Sequence, residues 1–176
     1  MTLEVTSATA AELPELADVA AATFPLACPP SVTPENVAAF IAENLTQSHF
    51  AGYLTDPGRL VLVARRDGRM IGYAMLVRGL PDDESVQRAV TIRPTVEISK
   101  MYVLPDNHGG GVSGALITEA LNRAPDLDAK SVWLGVNQNN QRAQRFYAKH
   151  GFTINGTKTF RLGTRIESDY VMVRPV

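Results

Sequence analysis

A mixed α/β fold, with a central and mostly antiparallel sheet flanked by helices, is what the sequence predicts. Three observations carry the expectation. Two apolar runs, "LVLVA" at 60–64 and "MIGYAMLV" at 70–77, flank Asp67-Gly68, and Asp-Gly between such runs signals a tight hairpin. A third long run, "TVEISKMYVL", leads through a glycine-rich loop into a helical pattern. The resulting order, with three strands in succession before the glycine loop, is not the regular β-α alternation of a doubly wound sheet. A chain of 176 residues suits one domain, 1–176.

The elements follow from local chemistry. Leu3 to Ser7 alternates as a short strand. Thr9 can cap a helix through "AAELPELADVAAATF" with Pro14 in its first turns, and "ACPPS" breaks it. Thr33-Pro34-Glu35 is a helix start, with a capping Thr, Pro at the first helical position and then an acid. Thr46 or Ser48 opens a shorter helix, "SHFAGYL", closed by Asp56-Pro57-Gly58. "RGLPDDESVQRAV" reads as a polar loop between strands. Val112, Ala115, Leu116, Ala120 and Leu121 recur at helical spacing. "SVWLGV" is a compact strand. "NQRAQRFYAKHG" is a helix headed by Asn140, with Ala143, Phe146 and Tyr147 on one stripe and Gly151 after its end. "TFRL" and "SDYVMV" close the chain as strands.

Composition narrows the function. Apolar residues make up 45% and charged residues 20%, enough for a packed core, and the net charge of −1 with no basic run argues against a nucleic-acid partner. Cys28, the single cysteine, has no internal disulfide partner and fits a reducing compartment. The opening "MTLEVTSATAAELPEL" lacks the basic and apolar regions of a signal peptide, and no run approaches the ~18 apolar residues of a membrane span. A cytoplasmic protein with no membrane partner is therefore expected. His49, His108 and His150 are scattered without metal-ligand spacing, so no metal is expected. Antiparallel strands at the C-terminus leave an edge through which a homodimer could pair.

The loop "LPDNHGGGVSG" asks what its backbone approaches. It contains G-x-G-x-x-G at Gly109, Gly111 and Gly114, the pattern of a dinucleotide site. Its context does not fit: the residues from Pro105 to His108 separate strand from first glycine, and the next strand ends in Val136-Asn137 with no acid for a ribose. A flexible loop tip is the plainer alternative. The loop nevertheless lies between a long strand and a well-patterned helix, so its amides gather at a helix N-terminus, where free N–H groups and the helix dipole favour an anion.

The stretch "EISKMYVLPDNHGGGVSGALITEAL" resembles the acetyl-CoA-binding motif of the GNAT acetyltransferases, in which a strand leads to a Gln/Arg-x-x-Gly-x-Gly/Ala loop and a helix. Gly111 stands at the central Gly, while His108 and Ser113 replace the first and last signature residues. "LGVNQNNQRAQRFYAKHGF" is similar to the strand and helix that follow in that family. "TFPLACPPSVTPENVAAFI", the Asp-Pro-Gly before the hairpin and "GTKTFRLGTRIESDYVMV" resemble the PaiA-type branch, which acetylates polyamines.

The resemblance implies an N-acetyltransferase that uses acetyl-CoA to acetylate a primary amine of a small molecule, with a polyamine as the first acceptor. Met101, Tyr102 and Val103 would contact the cofactor through the main chain. His108, Gly109, Gly110, Gly111, Val112, Ser113 and Gly114 would cradle its diphosphate, and Asn140, Tyr147 and Lys149 would complete that side. Glu97 is the candidate base, directly or through a water: an alkyl ammonium with a pKa of ~10.4 must lose a proton before it attacks. Tyr147, a phenol of reference pKa ~10, is the candidate acid for the departing thiolate. Both residues also read as ordinary structure, Glu97 as a surface carboxylate and Tyr147 as a core aromatic. Phe24, Glu35 and Phe40, with Glu97, are candidates for the acceptor wall, and Asp82-Asp83-Glu84 could draw in polycations. Ile98 and Met101, apolar but three apart, suggest a β-bulge between them. Alternatives are acetylation of a protein N-terminus, a lysine or an antibiotic amine, and a non-catalytic acyl-CoA-binding sensor.

Overall fold

The computed structural model describes residues 2–107, 111–162 and 165–176; the expectations for His108, Gly109 and Gly110 lie outside the described residues. Seven strands form one sheet in the order β1-β2-β3-β4-β5-β7-β6. They are β1 (Leu3–Ser7), β2 (Arg59–Arg66), β3 (Arg69–Arg78), β4 (Thr95–Val103), β5 (Ser131–Asn137), β6 (Thr153–Leu162) and β7 (Arg165–Pro175). The β4–β5 pair is parallel and every other pair is antiparallel. The helices are α1 (Leu13–Ala27), α2 (Pro34–Asn44), α3 (Gln47–Thr55), α4 (Glu84–Ala89), α5 (Val112–Arg123) and α6 (Gln141–Lys149).

The starts of these elements follow the local chemistry. Asp67 and Gly68 both take positive φ, 53° and 81°, as the tight β2–β3 turn requires. Thr33 caps α2 by accepting from the Asn36 N–H, Thr46 caps α3 by accepting from His49, and Asn140 caps α6 by accepting from Ala143. Thr9 and Glu12 form a capping box that begins as a short 3-10 turn and continues as α1.

Alternation in the central strands sends side chains to two cores. On one face Leu62, Ile71, Leu76, Val96 and Ile98 meet Val112, Leu116 and Ile117 of α5. On the other Val61, Val63, Tyr73 and Met75 meet Leu16, Val19 and Phe24 of α1 and Phe50 of α3. A smaller cluster on that second side joins Val86 and Ala89 of α4 to Trp133.

Three elements differ from expectation. The polar loop after β3 contains α4, because the Asp83 carboxylate accepts from the Ser85 and Val86 amides and the helix buries Val86 and Ala89. α1 runs past Phe24 to Ala27 with Pro25 inside it, which carries Ala27 and Cys28 towards the sheet. β6 begins at Thr153 rather than near Thr159, with a register shift between Ile154 and Gly156 inside the strand. Glycine suits that point because a Cβ at Gly156 would lie 2.8 Å from Cβ of Ala89. Among the described residues, no helix is long and apolar enough to cross a membrane.

Candidate active site

The site grows from two irregularities in β4. The first is the expected bulge. Met75 pairs with Lys100 and Leu76 with Ile98, so Ser99 is the extra residue. Ile98 and Met101 consequently share the α5 face, and Glu97, Lys100 and Tyr102 share the α1 face. The second is a split. Parallel pairing with β5 runs only from Thr95–Ser131 to Glu97–Trp133 and stops there. Beyond Glu97 the strands part, and a cleft opens on each side of the parting.

The larger cleft, about 610 Å³, lies against the starts of α5 and α6. Gly111 occupies the position before α5 in the left-handed region, φ 80°, where no side chain caps the helix. Val112 is buried in the core and anchors the first turn. The first-turn amides of a helix lack intrahelical acceptors, so Val112, Ser113 and Gly114 present N–H groups and the positive end of the dipole to the cleft that they line. Met101, Tyr102 and Val103 form the facing wall, and Asn140, Tyr147 and Lys149 close the third side. Asn140 spends its Oδ1 on the cap, 3.1 Å from the Ala143 amide, which leaves its NH₂ group for the cleft.

Tyr147 is held by edge contacts with Phe146 (centroids 5.4 Å apart) and Phe152 (5.9 Å). Its hydroxyl has no hydrogen-bond partner among the described residues, and burial pushes its pKa up to about 12. A phenol in that state is a proton donor at any physiological pH.

The smaller cavity, about 200 Å³, lies on the α1 face. Phe24 and Phe40 stack at 4.4 Å with their planes 9° apart and form its apolar side, and Tyr102 meets Phe24 edge-on at 6.4 Å. Glu97 and Lys100 form the floor, and Lys158, Glu167 and Asp169 come from the β6–β7 hairpin. Burial raises the pKa of Glu97, while the positive charges of Lys158, Lys100 and Arg59 oppose that rise. Burial lowers the pKa of Lys100, with Glu97 acting against it. Lys158 and Asp169 form a mostly buried ion pair at 3.5 Å. Gly135 of β5 leaves room for it, since a Cβ there would sit 2.5 Å from Lys158 Cε. Ala27 and Tyr102 line both spaces, so the clefts meet at the parting of the sheet.

The structure thus brings Met101, Tyr102, Val103, Gly111, Val112, Ser113, Gly114, Asn140, Tyr147 and Lys149 to one cleft, and Phe24, Phe40 and Glu97 to the other. Glu35 joins neither. It stands exposed on the first turn of α2, on a different side from Val37, Phe40 and Ile41, which pack inward. The acidic triplet is also elsewhere: Asp83 caps α4, and Glu84 faces Arg88 of the same helix at 3.9 Å. Lys100, Lys158, Asp169 and Gly135 were not singled out in the sequence. Lys100 was detectable once a bulge was placed after Ile98. The other three are assembled by strand pairings that no local pattern announces.

A sheet parted between a bulged strand and its parallel neighbour, with an uncapped helix start at the parting, offers an extended ligand a groove that ends at free backbone donors. The acetyltransferase (GNAT) family model matches residues 20–152, and the chain belongs to that family. It is an acetyl-CoA-dependent N-acetyltransferase. An uncharacterized N-acetyltransferase of Mycobacterium tuberculosis (strain ATCC 25618 / H37Rv) is 59% identical over 160 residues, spanning 91% of this chain and 95% of that protein. The crystal structure of the PaiA N-acetyltransferase from Thermoplasma acidophilum in complex with coenzyme A aligns with a TM-score of 0.78 at 18% identity, covering 100% of each chain. A spermidine N-acetyltransferase SpeG chimera from Vibrio cholerae and hSSAT aligns with a TM-score of 0.70 at 16% identity, covering 99% of this chain and 96% of that one. At these identities the structural likenesses speak for the fold.

Proposed function

We propose that the chain, acting as one domain, acetylates the primary amine of a small molecule seated in the Glu97 cavity, with the donor held in the α5 cleft. The observation that carries this reading is the meeting of the two clefts at the parting of β4 and β5, with Tyr147 lining one and Glu97 the other. The coenzyme A in the Thermoplasma neighbour supports a coenzyme A thioester as the donor.

Acetyl-CoA would supply an acetyl carbon that bonds to the amine nitrogen as the bond to sulfur breaks. The α5 amides would hold the diphosphate with backbone donors, a role indifferent to the identity of the Ser113 side chain. Glu97, whose pKa is raised by burial, would in its ionised form take the proton of the substrate ammonium. Tyr147 would return a proton to the thiolate. Asn140 and Lys149 would flank the cofactor, and the rings of Phe24 and Phe40 would face the acceptor.

A polyamine is the acceptor implied by the PaiA-type likeness, while the cavity carries charges of both signs, Glu97, Glu167 and Asp169 beside Lys100 and Lys158. Thiol release from acetyl-CoA, measured across polyamines, amino acids, lysine peptides and aminoglycosides, tests the reading. Stoichiometric thiol and acetylated amine are expected with a small amine; binding of acetyl-CoA without thiol release from any amine would refute it.

A further inference from the structure

We infer that the acceptor carries a carboxylate close to the amine that is acetylated, so that its class is a zwitterionic amine, of amino-acid type and size, rather than a bare polyamine. This rests on the reading of the Glu97 cavity as the acceptor site.

The observation is the state of Lys100. Its side chain lines the cavity beside Glu97, yet its ammonium makes neither an ion pair nor a hydrogen bond among the described residues. Lys158, the other lysine in the wall, is engaged with Asp169 at 3.5 Å. A largely buried cation with no direct partner is costly, and where packing alone was needed an apolar residue would be more stable. The cost is recovered when a ligand brings the missing counter-charge. Burial already disfavours the charged lysine, with Glu97 restraining the shift from a distance.

The position of Lys100 specifies the ligand further. Glu97 pairs with Val77 and Lys100 with Met75, and since Val77 and Met75 are alternate residues of β3, the two charges are neighbours on one face. Same-face neighbours along a strand lie about 7 Å apart. An ammonium and a carboxylate on one carbon can bridge such a span with one hydrogen bond at each end. A polyamine would place a second cation against Lys100 and meet repulsion. A peptide N-terminus lacks the neighbouring carboxylate. The volume, about 200 Å³, is below that of a drug-sized site and suits a molecule of amino-acid size. The stacked rings of Phe24 and Phe40 would face its side chain.

Matched acceptor pairs test this directly. Initial rates of thiol release are measured with a series of α-amino acids spanning apolar, aromatic and charged side chains, with the primary amide of each, and with spermidine. Wild-type kcat/KM should favour the best acid over its own amide by about tenfold to a hundredfold, the range of a charge-assisted hydrogen bond. Lys100→Met should collapse that ratio towards one. The ratio is the readout because removing Lys100 also alters the electrostatics of Glu97 for every acceptor. Should the variant fail to fold, the wild-type ratio alone decides. Equal rates for acid and amide, a faster reaction with spermidine, or an unchanged ratio in Lys100→Met would overturn the inference while leaving acetyl transfer intact. Absence of thiol release with every amine would overturn both.

Discussion

Glu97 and Lys100 stand side by side on one face of β4 although Ile98 and Ser99 separate them in the chain, because Ser99 is the extra residue of a bulge. The same bulge keeps Ile98 and Met101 together on the opposite face, in the core with α5. One inserted residue thus sets a carboxylate and an ammonium into a cavity and keeps the strand's apolar side intact. The strand also leaves β5 just beyond Glu97, so the charged pair sits at the edge of the opening.

Glu97 is held above its ordinary range by burial and restrained by Lys158, Lys100 and Arg59. A raised carboxylate is protonated, and inactive as a base, below its folded pKa. Activity should therefore be lost as pH falls through a value higher than the ~4.3 of an unperturbed Glu. Glu97→Gln should lower kcat/KM and remove that limb. Lys158→Met removes the foremost cation restraining Glu97, so the limb should move to higher pH. A pH profile of kcat/KM checks both signs.

Tyr147→Phe keeps the ring and its contacts with Phe146 and Phe152 but removes the proton. Turnover should fall by about a hundredfold or more, the scale of general acid catalysis. Acetyl-CoA affinity by calorimetry should change little. With the phenol pushed up to about 12, the wild-type enzyme should show no alkaline limb from this group under ordinary assay conditions.

Gly135→Ala would bring a Cβ to 2.5 Å from Lys158 Cε and 3.1 Å from Asp169 Oδ2. The lysine end can yield, so the chain should fold with the ion pair displaced. A stability loss of about 1–3 kcal/mol is expected by thermal unfolding, the usual cost of overpacking. The acceptor KM should rise more than that for acetyl-CoA, because the ion pair lines only the acceptor cavity.

Asp83→Ala removes the carboxylate that caps α4. Stability should drop by about 1 kcal/mol, and Asp83→Asn should restore most of it. Neither variant should change kcat/KM for a cationic acceptor. A large kinetic effect would return the acidic triplet to the role of collecting polycations.

Much of this fold was legible because its signals are local. Asp67-Gly68 dictates a hairpin through positive φ, Thr33-Pro34 and Asn140 announce helix starts, and Gly111 with the apolar spacing after it marks the start of α5. The three-residue spacing of Ile98 and Met101 revealed the bulge, since only an insertion lets both face one core. Features set by partners distant in sequence carry no such local signal. α4 looked like polar loop because its apolar residues, Val86 and Ala89, find Trp133 only in the folded sheet. Lys158 meets Asp169 across the β6–β7 hairpin and both reach the cavity only because β7 lies beside β5. The resemblance implies Glu35 for the acceptor wall, yet its place on the first turn of α2 answers to the helix dipole and turns it to solvent.

The most direct measurement is a crystal structure of the protein with coenzyme A. The diphosphate should lie within hydrogen-bond distance, about 3 Å, of the amides of Val112, Ser113 and Gly114, and the thiol end in the parting between β4 and β5 near Tyr147. Coenzyme A bound elsewhere on the chain, with the α5 amides turned to solvent, would contradict that placement.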